Sequence, residues 1–164
     1  MPRKAKPIPE GFHTLTPYLT VDNAARAIEF YQKAFGAREL MRMDTPQGKI
    51  GHAELQIGDS RLMIADEMPM AGNRSPRALG GTCSGIFIYV EDVDAAFNQA
   101  VSAGAKVEMP VADMFWGDRY GKLTDPFGHS WSLATHKEDV APDEMARRGK
   151  EAMSKMAQQA HAGV

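Results

Sequence analysis

One offset constrains the fold more than any other feature: a step of 69 residues carries Val21 onto Val90 and Ile64 onto Leu133. Between these anchors Asp22-Asn23 falls on Glu91-Asp92 and Ala27 on Ala96. Phe35-Gly36-Ala37 falls on Ala103-Gly104-Ala105 after a slip of one residue. Two distant anchors with a common step are better explained by an internal duplication than by chance, so one supersecondary unit is expected twice.

Hydrophobic periodicity spells out the unit. Leu15, Pro17, Leu19 and Val21 alternate with Thr16, Tyr18 and Thr20, the period of a strand with one face against a core. Pro17 marks an edge or a strand start. Asp22 or Asn23 can cap a helix in which Ala24, Ala27, Ile28, Tyr31 and Phe35 share an apolar face, and Gly36 ends it. A strand over about 37–43 follows, and Ala53, Leu55 and Ile57 turn at Gly58-Asp59 into Leu62 and Ile64. The order is β, α, β, β, β.

The stretch 67–82 contains Pro69, Gly72, Pro76, Gly80 and Gly81 without periodicity and reads as a linker or flap. Then the unit restarts. Ile86, Ile88 and Val90 form its strand, Glu91-Asp92 its cap, and Val93 to Ala103 its helix, with Gly104 as the stop. Val107 and Met109 mark the next strand. Tyr120 to Thr124 and Ser130 to Thr135 make a hairpin around Asp125-Pro126-Phe127-Gly128, where Asp caps, Pro presets φ and Gly takes the left-handed position. After Pro142, the residues Met145, Ala152, Met153, Met156 and Ala160 recur at helical spacing, an amphipathic helix whose methionines cover the chain's own sheet or a partner subunit.

The expected architecture is α+β. A flexible arm (1–11) precedes a first βαβββ module (12–66), a linker or flap (67–82), a second βαβββ module (83–136) and a C-terminal helical extension (137–164).

Charge and cysteine usage exclude several roles. With 19 Lys and Arg against 21 Asp and Glu, the net charge is -2, and no field of the chain as a whole attracts nucleic acid. Arg3, Lys4 and Lys6 are interrupted by Pro2, Pro7 and Pro9 and read as part of the mobile arm. No apolar run approaches the roughly 20 residues that cross a bilayer, so a soluble, cytoplasmic protein without a membrane partner is expected. Cys83 is the single cysteine, which rules out an intramolecular disulfide and a multi-cysteine zinc site. It reads as a small hydrophobe rather than a catalytic thiol.

Several segments carry a family likeness. Pro17-Tyr18-Leu19-Thr20-Val21-Asp22, Phe30-Tyr31-Gln32-Lys33-Ala34-Phe35-Gly36-Ala37, Tyr89-Val90-Glu91-Asp92-Val93-Asp94 and Asp125-Pro126-Phe127-Gly128-His129 together resemble the vicinal oxygen chelate superfamily of glyoxalases, bleomycin-resistance proteins and dioxygenases. His52-Ala53-Glu54-Leu55 and Phe115-Trp116-Gly117-Asp118-Arg119 resemble its PhnB-like branch. The resemblance implies that each helix packs on the convex side of a curved mixed sheet and that two concave faces form a cup for a small molecule. It implies a homodimer, since members pair modules within or across chains. In metal-dependent members each of four strands sends a ligand into the cup.

The positions that resemble those ligands are Thr16, Met63, Gly85 and Ser132, and none is His or Glu. Two hydroxyls and a thioether are too weak to hold Zn²⁺ or Ni²⁺ at neutral pH, so a divalent metal is not supported at the usual position and the cofactor is left open. Strand alternation directs His52, Glu54 and Gln56 into the cup if Ala53, Leu55 and Ile57 face the helix. His52 and Glu54 can then act as general base and orienter, supply two metal ligands, or satisfy one another on a solvated face.

Tyr18, Met63, Phe87 and Tyr89 line the same cup, either as a surface for flat organic ligands or as packing between modules. Trp116 can stack on a ligand. Arg119 can bind a carboxylate or phosphate, or pair with Asp118 or Asp113 in a packed loop. His129 and His136 read as surface groups. Two functions follow from this pattern. One is lyase, isomerase or transferase chemistry on a small metabolite. The other is metal-free sequestration of the bleomycin-resistance type. The methyltransferase label attached to the PhnB-like branch finds no Gly-rich strand-to-helix turn to cradle a cofactor.

Overall fold

The protein is described here by a computed structural model covering residues 5–162. Of the arm expected over residues 1–11, the first four residues lie outside those described.

The first half runs β1 (Tyr18–Val21), α1 (Ala24–Phe35), β2 (Arg38–Asp44), β3 (Ile50–Ile57) and β4 (Ser60–Asp66). The second half repeats it as β5 (Gly85–Tyr89), α3 (Val93–Ala103), β6 (Lys106–Asp113), β7 (Asp118–Thr124) and β8 (Ser130–His136). Between them lie a short 3₁₀ turn at Pro69–Ala71 and the four-residue α2 (Pro76–Leu79), and α4 (Pro142–Ala162) closes the described chain. Each half is one four-stranded mixed sheet, in the orders β1-β4-β3-β2 and β5-β8-β7-β6. The outer pair β1/β4, and likewise β5/β8, is parallel, and the remaining pairs are antiparallel.

The duplication extends to register and capping. Tyr18 pairs with Met63 and Phe87 with Ser132, the same pairing moved by the 69-residue step. Asp66, at the end of β4, accepts the Ala24 backbone N–H at the start of α1 at 2.8 Å. The equivalent residue of β8, Thr135, accepts the Val93 N–H at the start of α3 at 2.9 Å through its hydroxyl. Each sheet thus supplies an acceptor to the otherwise unpaired donors of its own helix.

Three expectations shift in detail. β1 starts at Tyr18 rather than Leu15 because Pro17 has no N–H to give the sheet, although its carbonyl accepts the Met63 N–H at 2.9 Å. The stretch read as a linker folds into helical turns because Ser75 caps α2, Pro76 occupies its first turn, and the Glu67 carboxylate holds the Ser75 N–H at 2.9 Å. In α4, Met153 and Met156 are largely exposed and cover no sheet of their own chain.

One core joins the halves. Leu19, Val21, Leu55 and Ile64 of the first sheet, and Leu123, Trp131 and Leu133 of the second, pack against α1 and α3, which also pack on each other. Phe35 and Trp131 pack across the junction with ring centroids 4.4 Å apart and planes tilted by 34°. A polar latch sits beside them. Asp125, 4% exposed, accepts the Tyr31 hydroxyl at 2.6 Å, the Trp131 indole N–H at 2.8 Å, and the backbone N–H groups of Phe127 and His129 at 2.9 Å each. Burial beside this carboxylate raises the Tyr31 phenol well above its ordinary range. Among the described residues no helix is long and apolar enough to cross a membrane.

Candidate functional site

Because the helices cover one face of each sheet, period-2 alternation leaves a second set of side chains on the open face. On the first sheet Ala53 and Leu55 are buried against the helices, while His52, Glu54 and Gln56 are half-buried on the other side. Tyr18 and Met63 lie beside them, directly paired between β1 and β4, and Met63 is also the cross-strand partner of Glu54. The Tyr18 hydroxyl is 3.3 Å from His52 Nδ1, and His52 Nε2 is 3.6 Å from Glu54 Oε1. The second distance is an ion-pair separation rather than a hydrogen bond. His52 therefore stands between a phenol and a carboxylate, an arrangement that can hold or move a proton at either ring nitrogen.

The open face of the second sheet is aromatic. Phe87 and Tyr89 of β5 have ring centroids 5.0 Å apart, Phe87 stacks on Tyr120 of β7 at 5.7 Å and 28°, and Trp116 meets Tyr120 edge-on at 5.6 Å. Ser132 of β8 sits among them with its hydroxyl 2.9 Å from that of Tyr120. Four rings in continuous contact make a wall suited to a flat ligand. Tyr18 is 47% and Tyr89 63% exposed, so these faces are accessible in the single chain.

Asp118 anchors the wall. It is 3% exposed and accepts hydrogen bonds from the Tyr89 hydroxyl at 2.9 Å and the Trp116 indole at 3.0 Å. His136, its cross-strand partner, lies with Nδ1 at 2.8 Å. Burial works to raise the Asp118 carboxyl, but the bonds from His136, Tyr89 and Trp116 outweigh it and the net shift is downward. The same bond raises the His136 imidazole, aided by Asp139, and the bond to Asp118 raises the Tyr89 phenol.

The remaining candidates separate. Thr16 lies half-buried just ahead of β1, and Met63 and Ser132 stand on the open faces of different sheets. With Gly85 offering no side chain, the quartet Thr16, Met63, Gly85 and Ser132 does not fit a divalent metal. Among the described residues no three His, Cys, Asp or Glu side chains gather as a metal site. Arg119 alternates with Tyr120 and turns to the helix side. There it bonds Asp94 of α3 at 2.7 and 2.8 Å and Asp113 at 3.1 Å, so its guanidinium is committed within the chain. His52, Glu54, Tyr18 and Met63 are brought together on one sheet, and Phe87, Tyr89 and Ser132 on the other, where Trp116 joins them from the turn ahead of β7.

Asp118 and His136 escaped the sequence reading as a pair. Extending the β7 alternation back from Tyr120 by two residues would have put Asp118 on the open face. Nothing local announces that His136 lies opposite it. His129, read as a surface group, is half-buried with Nε2 2.9 Å from the Thr20 carbonyl oxygen of the first sheet.

Comparison with known proteins agrees with this architecture. The profile of the Glyoxalase/Bleomycin resistance protein/Dioxygenase superfamily matches residues 11–133. Uncharacterized protein Rv0887c of Mycobacterium tuberculosis (strain ATCC 25618 / H37Rv) is 49% identical over 134 residues, covering 80% of this chain and 79% of that protein. The crystal structure of TioX from Micromonospora sp. ML1 is similar with a TM-score of 0.62 and 29% identity, covering 76% of this chain and 98% of TioX. A putative 3-demethylubiquinone-9 3-methyltransferase, PhnB protein, from Bacillus cereus shares the fold with a TM-score of 0.59 at 18% identity over 75% of this chain and 99% of that one. With the duplicated βαβββ order, the paired mixed sheets and a profile match over most of its length, this chain belongs to the glyoxalase/bleomycin resistance protein/dioxygenase superfamily.

Proposed function

We propose that the protein binds a flat organic small molecule, without a metal at the family's usual position, in a cup completed by a second copy of the chain. The observation that carries the reading is the contiguous ring wall of Phe87, Tyr89, Tyr120 and Trp116, held in place by the buried Asp118. A ligand stabilises the folded state by RT ln(1 + [L]/Kd), about 2.7 kcal/mol at a hundredfold excess over Kd. For a chain of this size that is a rise of roughly 5–10 °C in Tm. A thermal-shift screen of planar aromatic compounds in EDTA should find such shifts. Shifts that appear only after a divalent metal is added would favour the conventional metalloenzyme.

The dimer belongs to the same proposal. The halves of one chain meet mainly through α1 and α3, and their edge strands flank a groove of about 910 Å³ lined by Leu15 and Pro17 ahead of β1 and by Ile86, Phe87 and Tyr89 of β5. Met43, Phe87, Tyr89 and Tyr18 stay exposed beside unpaired strand edges, surface that a two-fold partner would cover. Light scattering at micromolar concentration should give twice the 18.0 kDa chain mass. A monomeric mass would count against a cup shared between copies. A cytoplasmic setting is part of the reading, since the exposed, unpaired Cys83 suits a reducing compartment.

A second reading, lyase or isomerase chemistry, is favoured by Tyr18, His52 and Glu54. In it His52 takes a proton from the bound molecule while Glu54 stabilises the imidazolium and Tyr18 orients the ring. Any compound found in the screen, incubated in D₂O and followed by NMR, would then turn over or exchange a C–H proton with wild-type protein but not with His52→Ala. Binding without exchange or turnover would leave sequestration as the function.

A further inference from the structure

We infer that Lys122, with the hydroxyl pair of Tyr120 and Ser132, forms a receptor for an oxyanion on the open face of the second sheet. The inference rests on the proposal that this face holds a ligand, and it names the ligand's charge. Lys122 lies two residues from Tyr120 on β7, hence on the same face, and is the direct cross-strand partner of Ser132. These three side chains, with Ser130 and Phe87, line a cavity of about 300 Å³. No acidic residue lines it. Glu108, the acid on the neighbouring strand, is committed to the Thr124 hydroxyl at 3.1 Å and faces Lys106 at 3.6 Å. Among the described residues Lys122 has no ion-pair partner.

The proton count points the same way. The Tyr120 and Ser132 hydroxyls are 2.9 Å apart, so one of them donates to the other and one O–H remains to be directed elsewhere. Together with the three N–H groups of the ammonium, the cavity offers an excess of donors and a positive charge. A carboxylate or phosphonate presents the matching set of acceptor oxygens. The Phe87 ring stacked beside Tyr120 supplies a flat wall next to the charge, so an aromatic or otherwise planar acid fits both. Ser132 is also one of the four positions that resemble metal ligands in the family. In this chain a lysine and two hydroxyls line the neighbouring cavity and would serve an anionic oxygen directly.

The test is calorimetric titration of the full-length protein, in EDTA at constant ionic strength, with benzoate, phenylphosphonate and the neutral benzamide. Both acids should bind about tenfold or more tighter than benzamide, the scale of a charge-assisted hydrogen bond. Which acid binds more tightly tells the carboxylate from the phosphonate class. Lys122→Met should lower acid affinity by about the same factor and benzamide affinity much less, since a neutral carbonyl loses only an ordinary hydrogen bond, and Lys122→Arg should keep acid binding and so control for folding. Acids binding no better than benzamide, or acid affinity unchanged in Lys122→Met, would overturn the receptor while leaving a neutral pocket intact. Failure of all three probes would overturn the receptor. Failure of every planar compound in the thermal-shift screen as well would overturn the pocket.

Discussion

Replacing Asp125 tests how the halves are held together. Its carboxylate is 4% exposed and serves four donors: the Tyr31 hydroxyl from α1, the Trp131 indole from β8, and the Phe127 and His129 N–H groups of its own turn. Asp125→Ala leaves all four without an acceptor, and Tyr31 and Trp131 are themselves almost fully buried. An unsatisfied buried donor costs about 1–3 kcal/mol. These costs do not add in full, because water enters the vacated space, and disruption of a buried charged network costs roughly 3–5 kcal/mol as a whole. Asp125→Asn should cost less, about 1–3 kcal/mol. Its remaining oxygen can serve the two turn N–H groups, and Tyr31 can rotate to accept from the new amide, but the Trp131 N–H, a donor only, then faces another donor. Urea unfolding followed by near-ultraviolet circular dichroism, at fixed protein concentration, measures both. The order wild type, Asn, Ala in falling stability is expected. An unfolding free energy for Asp125→Ala within about 1 kcal/mol of wild type would refute the latch.

The Asp118 and His136 pair has a pH signature. His136 is raised in the fold, so its contribution is fully present below its unfolded value near 6.5 and is lost as pH rises through the higher folded value. Asp118 is lowered, so its contribution is present above its unfolded value near 3.8 and is lost as pH falls through the lower folded value. The stability difference between wild type and His136→Gln should therefore be larger at pH 5.5 than at pH 9, read from urea midpoints. A constant difference would show that the imidazolium does not matter. Gly121 reports the close approach of α3 to β7, since an added Cβ would lie 2.5 Å from a Phe97 ring carbon and 3.0 Å from Val111. Gly121→Ala should cost roughly 1–3 kcal/mol by overpacking, and an unchanged Tm would show that α3 yields freely.

Much of this fold could be read from the chain because local signals and the duplication agreed. Asn23 and Asp92 cap the helices, Gly36 and Gly104 end them, and Gly58-Asp59 turns a hairpin, each by chemistry contained within a few residues. The 69-residue step made the two halves equivalent, and the pairings of Tyr18 with Met63 and of Phe87 with Ser132 obey it. The open-face residues His52 and Glu54 followed from alternation once the buried set of their strand was known. What escaped depended on distant partners. Arg119 does pair with Asp113, one of the two acids the sequence offered, but Asp94 of α3, 25 residues away, takes it in a two-pronged bond that no local signal announced. Asp125 read correctly as turn chemistry, but its bond to Tyr31 spans 94 residues and has no local signature. Asp118 and His136 meet only because β7 and β8 pair in a particular register.

Elemental analysis of protein expressed in medium supplemented with nickel, zinc and manganese tests the metal-independent cup most directly. The donor set of Thr16, Met63, Gly85 and Ser132 should retain far less than one equivalent per chain after dialysis, and any residual ion should depend on His52 or Glu54 and fall in Glu54→Gln. One tightly held equivalent that survives unchanged in Glu54→Gln would contradict the account and restore the conventional metalloenzyme.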